Sequence, residues 1–211
     1  MITTQNLSYQ YRNGKSLHFK DLSCNTGDDL LILGASGSGK TTLLHLLSGI
    51  LQPGQGDIFL NGKKISEFTS KDRDIFRGNH MGMIFQRHYF LQGLTVFENL
   101  LAAQKLSGNQ VNKSLLLELA EKLDIIGLAH QKPSSLSQGE QQRFSIARAL
   151  ANKPSWILAD EPTSSLDDEN CKKFLELIRL PLSHKPVSWI IASHDNRLKD
   201  HFQNIYKLET N

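Results

Sequence analysis

The sequence predicts an α/β fold in which a mainly parallel core sheet carries an N-terminal antiparallel β subdomain and an inserted α-helical subdomain. Three observations predict it. Short, continuous apolar runs at Leu30–Leu33, 156–159 and 187–192 alternate with segments that read as helices, the pattern of a parallel sheet with crossover helices. Residues 1–30 mix short alternating polar and apolar stretches with turn residues, as antiparallel strands do. Residues 94–130 are rich in Leu, Ala, Glu and Lys with few breakers, which places a helical lobe mid-chain.

In chain order, residues 2–7 and 16–22 are the first strand candidates, with turn signals at Asn13-Gly14 and Thr26-Gly27. The apolar run 30–33 enters a glycine-rich stretch, 34–39, and residues 42–51 then carry leucines at helical spacing, so the order is strand, loop, helix. Residues 57–60 followed by Asn61-Gly62 read as a strand entering a hairpin turn. Ser137 can cap a helix that runs through Arg143 to residue 151, where Lys153-Pro154 stops it because proline disfavours helical geometry in the residue before it. Residues 156–159 form a buried strand, 168–180 a helix, 187–192 another buried strand and 205–208 a short last one. The expected organisation is one domain over 1–211, with a core and β subdomain in 1–86 and 155–211 and the helical subdomain in 87–154.

Composition narrows the function classes. With 211 residues, 39% hydrophobic and 21% charged, the chain is an ordinary globular protein rather than a fibrous or low-complexity one. A net charge of +3 is too small to argue for nucleic acid. Cys24 and Cys171 stand apart, with no partner at metal-ligand spacing, as packed thiols in a reducing compartment would. Apolar runs fall far short of the roughly 20 residues a spanning helix needs, and the N-terminus lacks the regions of a signal peptide. The chain is therefore expected inside the cell, reaching a membrane only by docking on a partner.

Gly34, Ala35, Ser36, Gly37, Ser38, Gly39, Lys40 and Thr41 fit G-x-x-x-x-G-K-[ST], and they lie between a strand and a helix as a phosphate-binding loop requires. Glycines let backbone N–H groups converge on phosphate oxygens, Lys40 can reach the β- and γ-phosphates, and Thr41 can ligate Mg²⁺. The strand 156–159 ends in Asp160 and Glu161, at the carboxyl edge of the sheet beside that loop. There Asp160 can hold the metal through its water shell, and Glu161 can polarise the attacking water.

The segment Leu136-Ser137-Gln138-Gly139-Glu140-Gln141-Gln142-Arg143, upstream of the acidic strand end, decides the class of phosphate-loop enzyme. It resembles the signature motif of the ATP-binding cassette family, and motifs match that family in order from Tyr11 to His194. Gln138 departs from the family's more usual glycine, and Glu140 from its frequent glutamine. The resemblance implies a P-loop NTPase core that binds ATP and Mg²⁺, with Thr42 joining the loop's nucleotide contacts. It implies that Ser137, Gly139 and Glu140, at a helix start, serve ATP held by a second copy of the chain. Tyr11 resembles the aromatic that stacks on adenine, with Tyr9 two residues away. Gln86 resembles the glutamine that joins Mg²⁺ to the membrane-partner contact, residues 164–167 the loop that crosses between subunits, and His194 the switch histidine that serves the γ-phosphate and Glu161.

Within the family, Met83-Ile84-Phe85-Gln86 and the stretch from Phe90 to Asn99 are similar to cassettes of the lipoprotein-releasing, macrolide-exporting and cell-division type. The implied function is the ATP-hydrolysing subunit of a membrane transporter, dimerising head to tail around two Mg-ATP to drive a separate integral membrane permease. Such a chain would sit in the cytoplasm, peripheral on the inner face of the cell membrane through that permease. The alternative with the same catalytic site is a mechanotransmission or regulatory ATPase that transports nothing. Long coiled coils, zinc motifs or tandem cassettes would point to DNA repair or translation; none is found, and no nucleic-acid partner is expected.

Overall fold

In the computed structural model, which describes residues 1–12, 14–180 and 186–209, two sheets separate the strands by the direction of their pairing. The Asn13 half of the Asn13-Gly14 turn lies outside the described residues. In the first sheet β1 (Ile2–Gln10) pairs antiparallel with β2 (Ser16–His18), β3 (Ser23–Cys24) and β5 (Gln55–Leu60), and β5 returns as β6 (Lys63–Lys64). Asn61 and Gly62 join β5 to β6 with φ of 50° and 78°, the two positive values that a two-residue hairpin matching strand twist demands. The second sheet has the order β10 (Asn204–Lys207), β4 (Leu30–Leu33), β9 (Ser188–Ser193), β8 (Trp156–Asp160), β7 (Met81–Ile84), with each pairing parallel.

The parallel strands read as unbroken apolar runs because both of their faces are covered. Trp156 and Leu158 of β8 join a core with Ile2, Leu7 and Ile58 of the antiparallel sheet and with Leu43 and Leu47 of α1 (Lys40–Leu47). Ile157 and Ala159, one residue out of phase, face a second core containing residues of α3 (Val96–Leu106), α4 (Lys113–Lys122), α5 (Gln138–Leu150) and α6 (Asp168–Arg179). Among the described residues no helix is long and apolar enough to cross a membrane, and both cysteines are buried free thiols.

Several boundaries differ from the sequence reading, for local reasons. The run 16–22 does not form one strand: Asn6 of β1 has a φ of 48° and donates its N–H to Asp21 Oδ1 at 2.7 Å, which interrupts the ladder between β2 and β3. Helix α1 begins at Lys40, two residues early, and stops at Leu47, where the N–H groups of Ile50 and Leu51 both return to the His45 carbonyl. Helix α2 (Ser70–His80), capped by Thr69, and β7 were not read from the sequence as elements.

Helix α5 lies on β7 with almost no space between backbones. A Cβ at Gly82 would stand 2.4 Å from the Ala149 carbonyl oxygen, so only glycine permits this approach. The parallel register then aligns the strand ends. Leu33 is opposite Ser193, Asp160 opposite Ala192 and Ile84 opposite Ala159, so Gly34, His194, Glu161 and Phe85 leave the same edge of the sheet.

Candidate active site

Gly39, the N-cap of α1, has a φ of 99°, a left-handed conformation costly to any residue with a Cβ. No side chain caps this helix start, so its first N–H groups face the loop mouth, where a helix N-terminus favours an anion. Ala35, Ser36 and Gly37 form the exposed lip, while Ser38 is buried and its Oγ has no hydrogen-bond partner among the described residues. Lys40 is almost wholly buried; its Nζ donates to the carbonyls of Gly34 and Ala35 at 2.8 and 3.0 Å and lies 3.0 Å from Glu161 Oε1. On the outer side the Tyr11 hydroxyl hydrogen-bonds Thr42 Oγ1, and the Tyr11 ring meets Tyr9 edge-on at 5.0 Å. Tyr11 is thus the tyrosine tied to the loop.

Thr41 Oγ1 donates to Asp160 Oδ2 at 2.7 Å, while Asp160 Oδ1 is buried with no partner among the described residues. Burial pushes the Asp160 carboxyl up from its ordinary pKa; the Thr41 hydrogen bond opposes this and the neighbouring Glu161 charge adds to it. A hydroxyl and a carboxylate with a free oxygen are hard donors that fit Mg²⁺, and a cation there would offset the cost of burying the charge.

Glu161 has a φ of 47°, a strained conformation worth roughly 1–3 kcal/mol for a residue with a side chain. Its N–H donates to the Ala192 carbonyl at 2.8 Å, and its carboxylate accepts from Ser193 Oγ at 3.1 Å and the His194 N–H at 3.3 Å. His194 Nδ1 stands 2.9 Å from both carboxylate oxygens, while about half of the His194 side chain remains exposed. Desolvation pushes the Glu161 carboxyl up, but hydrogen bonds from His194 and Lys40 and the Lys40 charge outweigh it, holding the group below its ordinary value.

Ser137 is the N-cap of α5 and forms a reciprocal capping box with Glu140: its N–H donates to Glu140 Oε2 at 2.7 Å while its Oγ accepts from the Glu140 N–H at 3.4 Å, and the Oγ also donates to Glu140 Oε2 at 2.7 Å. These bonds hold the exposed Glu140 carboxyl below its ordinary pKa. Gln138 Nε2 donates to Ser165 Oγ at 2.7 Å, which joins the helix start to the 164–167 loop of the same chain. No hydrogen bond among the described residues links Ser137, Gly139 or Glu140 to the 34–41 loop. The fold therefore brings together Lys40, Thr41, Asp160, Glu161 and His194, sets exposed Gln86 just past β7, and leaves the α5 start as a separate surface.

Sequence reasoning missed Thr163, Ser193, Asp195 and Arg197. Thr163 Oγ1 donates to Asp195 Oδ2 at 2.8 Å, and Arg197 Nε donates to Asp195 Oδ1 at 2.9 Å. The Arg197 hydrogen bond holds the Asp195 carboxyl down to about 2. Ser193 was within reach as the small polar residue just before His194; the Thr163–Asp195 pair spans 32 positions and has no local signal.

A family model described as ABC transporter matches residues 17–164. The chain is 35% identical to an uncharacterized ABC transporter ATP-binding protein of Mycobacterium tuberculosis, over 99% of this chain and 87% of that protein. It is 37% identical to the lipoprotein-releasing system ATP-binding protein LolD of Buchnera aphidicola, over 100% of this chain and 95% of the relative. Among solved structures it superposes with a TM-score of 0.88 and 28% identity, covering 100% of this chain and 95% of the other, on the dimeric structure of a post-hydrolysis state of an ATP-binding cassette bound to ADP and Pi.

Proposed function

Because this chain belongs to the ABC transporter family of ATP-binding cassettes and is an ATPase, we propose that it works as a motor subunit, dimerising head to tail around two Mg-ATP to drive a separate integral membrane permease. The observation that carries the reading is the edge-of-sheet constellation, in which Thr41 and Asp160 form a hard-donor pair beside a Glu161 carboxylate held by His194 and Lys40. The likeness to LolD, named a lipoprotein-releasing system protein, supports the permease-coupled assignment and the lipoprotein-releasing type of subgroup. The dimeric relative supports a pairing of two copies.

Each residue takes a role in this reading. Lys40 exchanges the Gly34 and Ala35 carbonyls and the Glu161 carboxylate for phosphate oxygens, which frees Glu161 to accept a hydrogen bond from the attacking water. Glu161 polarises that water, and His194 keeps the carboxylate oriented while its exposed edge meets the γ-phosphate. Thr41 would ligate Mg²⁺, Asp160 would hold it through its water shell and Gln86 would join it to the permease contact; the ion would supply charge neutralisation for phosphoryl transfer. The N–H groups of the loop from Gly34 to Gly39 cradle the phosphates and Tyr11 stacks on the adenine. From the second copy, Ser137 and the Gly139 N–H approach the γ-phosphate at a helix N-terminus. Residues 87–154 carry α5 as the part that moves when the γ-phosphate is lost, and the permease bound near Gln86 holds the protein at the inner face of the cell membrane.

The test is affinity purification of tagged Glu161→Gln from detergent-solubilised membranes with ATP and Mg²⁺, followed by mass spectrometry. A multi-spanning partner recovered with ATP and Mg²⁺ supports the reading. Recovery of soluble proteins alone overturns the permease assignment.

A further inference from the structure

Two chain segments meet at Glu161 and His194. One leaves β8 through Glu161 and runs on through Thr163 to α6; the other leaves β9 through Ser193 and His194. At the sheet edge they are joined by the Glu161 N–H on the Ala192 carbonyl. Farther out the junction is Arg197, three residues past His194. Arg197 Nε and Nη2 hold Asp195 as a fork, at 2.9 Å to Oδ1 and 2.7 Å to Oδ2. Nη2 also reaches the Leu166 carbonyl at 3.2 Å and the Thr163 carbonyl at 3.5 Å, and Nη1 donates to Asp168 Oδ1 at 2.6 Å. A planar guanidinium is the side chain that can serve a carboxylate bidentately and still reach carbonyls on a second segment.

The chain of contacts from this hub returns to the catalytic carboxylate. Thr163, fully buried, donates to the same Asp195 carboxylate that Arg197 holds. The Asp195 N–H donates to Ser193 Oγ at 3.0 Å, and Ser193 Oγ donates to Glu161 Oε2 at 3.1 Å. Glu161 needs such support, because its left-handed backbone persists only where its surroundings enforce it. The Asp168 arm is an ion pair with a carboxylate 94% exposed and adds little stability, so its value lies in direction.

We propose that Arg197 is a positioning residue for ATP hydrolysis: by clamping residues 163–168 onto Asp195 it fixes the geometry in which Glu161 and His194 face each other. This rests on the roles assigned above to Glu161 and His194. Arg197 touches neither the phosphate loop nor Tyr11, so its loss acts on turnover and not on nucleotide binding.

The experiment measures kcat and KM for ATP, together with thermal stability, in the wild-type chain, Arg197→Ala, Arg197→Lys and Glu161→Gln. For Arg197→Ala kcat falls roughly tenfold with KM unchanged, as expected when reacting groups lose orientation, and millimolar guanidinium restores part of the loss. Arg197→Lys keeps the positive charge beside Asp195 and the stability of the fold, yet it loses the fork and stays several-fold slow. Wild-type kcat in Arg197→Lys overturns the proposal, as does a loss in Arg197→Ala that guanidinium leaves untouched. Full turnover by Glu161→Gln is a different result: it removes the reading on which the proposal rests.

Discussion

Thr41 Oγ1 and Asp160 Oδ2 are 2.7 Å apart, and this bond uses one oxygen of a buried carboxylate whose other oxygen has no partner among the described residues. Burying this carboxylate costs the fold a desolvated charge. Asp160→Asn keeps an acceptor for Thr41 and removes that charge. The nucleotide-free protein should therefore be no less thermally stable than wild type, while Mg²⁺-dependent ATP binding weakens roughly 10–100-fold. Thermal shift with and without Mg-ATP checks both halves.

Glu161→Gln removes the group to which the proposed function gives the polarising of water, and keeps most of its volume. Turnover should fall by about 10²–10⁴, with ATP binding retained and an ATP-bound dimer accumulating on size-exclusion chromatography. Rapid phosphate release by this variant would contradict the assignment.

Lys40→Ala takes a buried cation from the phosphate loop and from Glu161 at 3.0 Å. Charge-assisted hydrogen bonds are worth about 1.5–3 kcal/mol, so equilibrium titration should show ATP affinity lower by roughly 10–100-fold. Unchanged affinity counts against the loop's role.

Asp195 gives a pH signature. Its carboxyl is held at about 2 in the folded chain against an ordinary 3.8. A depressed folded pKa means that the unfolded chain binds the proton first as pH falls. The stabilisation is therefore complete above about 3.8 and is lost between about 3.8 and 2. In that window Asp195→Asn should show a shallower fall of melting temperature than wild type, and the two should converge near the acid end. Parallel slopes would show that Asp195 does not carry the linkage.

How legible the molecule was in its sequence depended on how local the cause was. The 34–41 loop, the Asp160-Glu161 strand end and the Ser137 cap are each written in a few adjacent residues; the strand end and the cap formed where the patterns put them, while the helix after the loop took different bounds. Helix α2 has no buried residue, so no apolar stripe marks it. Strand β7 has four residues, one of them Gly82, too few to display a period. The Thr163–Asp195–Arg197 cluster joins two segments that meet only because β8 and β9 are neighbours, a fact of topology with no trace in either segment.

The bare contact between Gly82 and Ala149 makes α5 a lever with a fulcrum near one end. Twelve residues separate Ala149 from Ser137, a span of about 18 Å at 1.5 Å per residue. A tilt of about 5° about that contact therefore carries the Ser137 end through about 1.5 Å, half the length of a hydrogen bond. With the Ala149 methyl beside its backbone at the pivot, the contact has no flexible side chain to absorb such a tilt, so a small displacement of β7 or of the chain leading to Gln86 reaches the far end of α5 magnified.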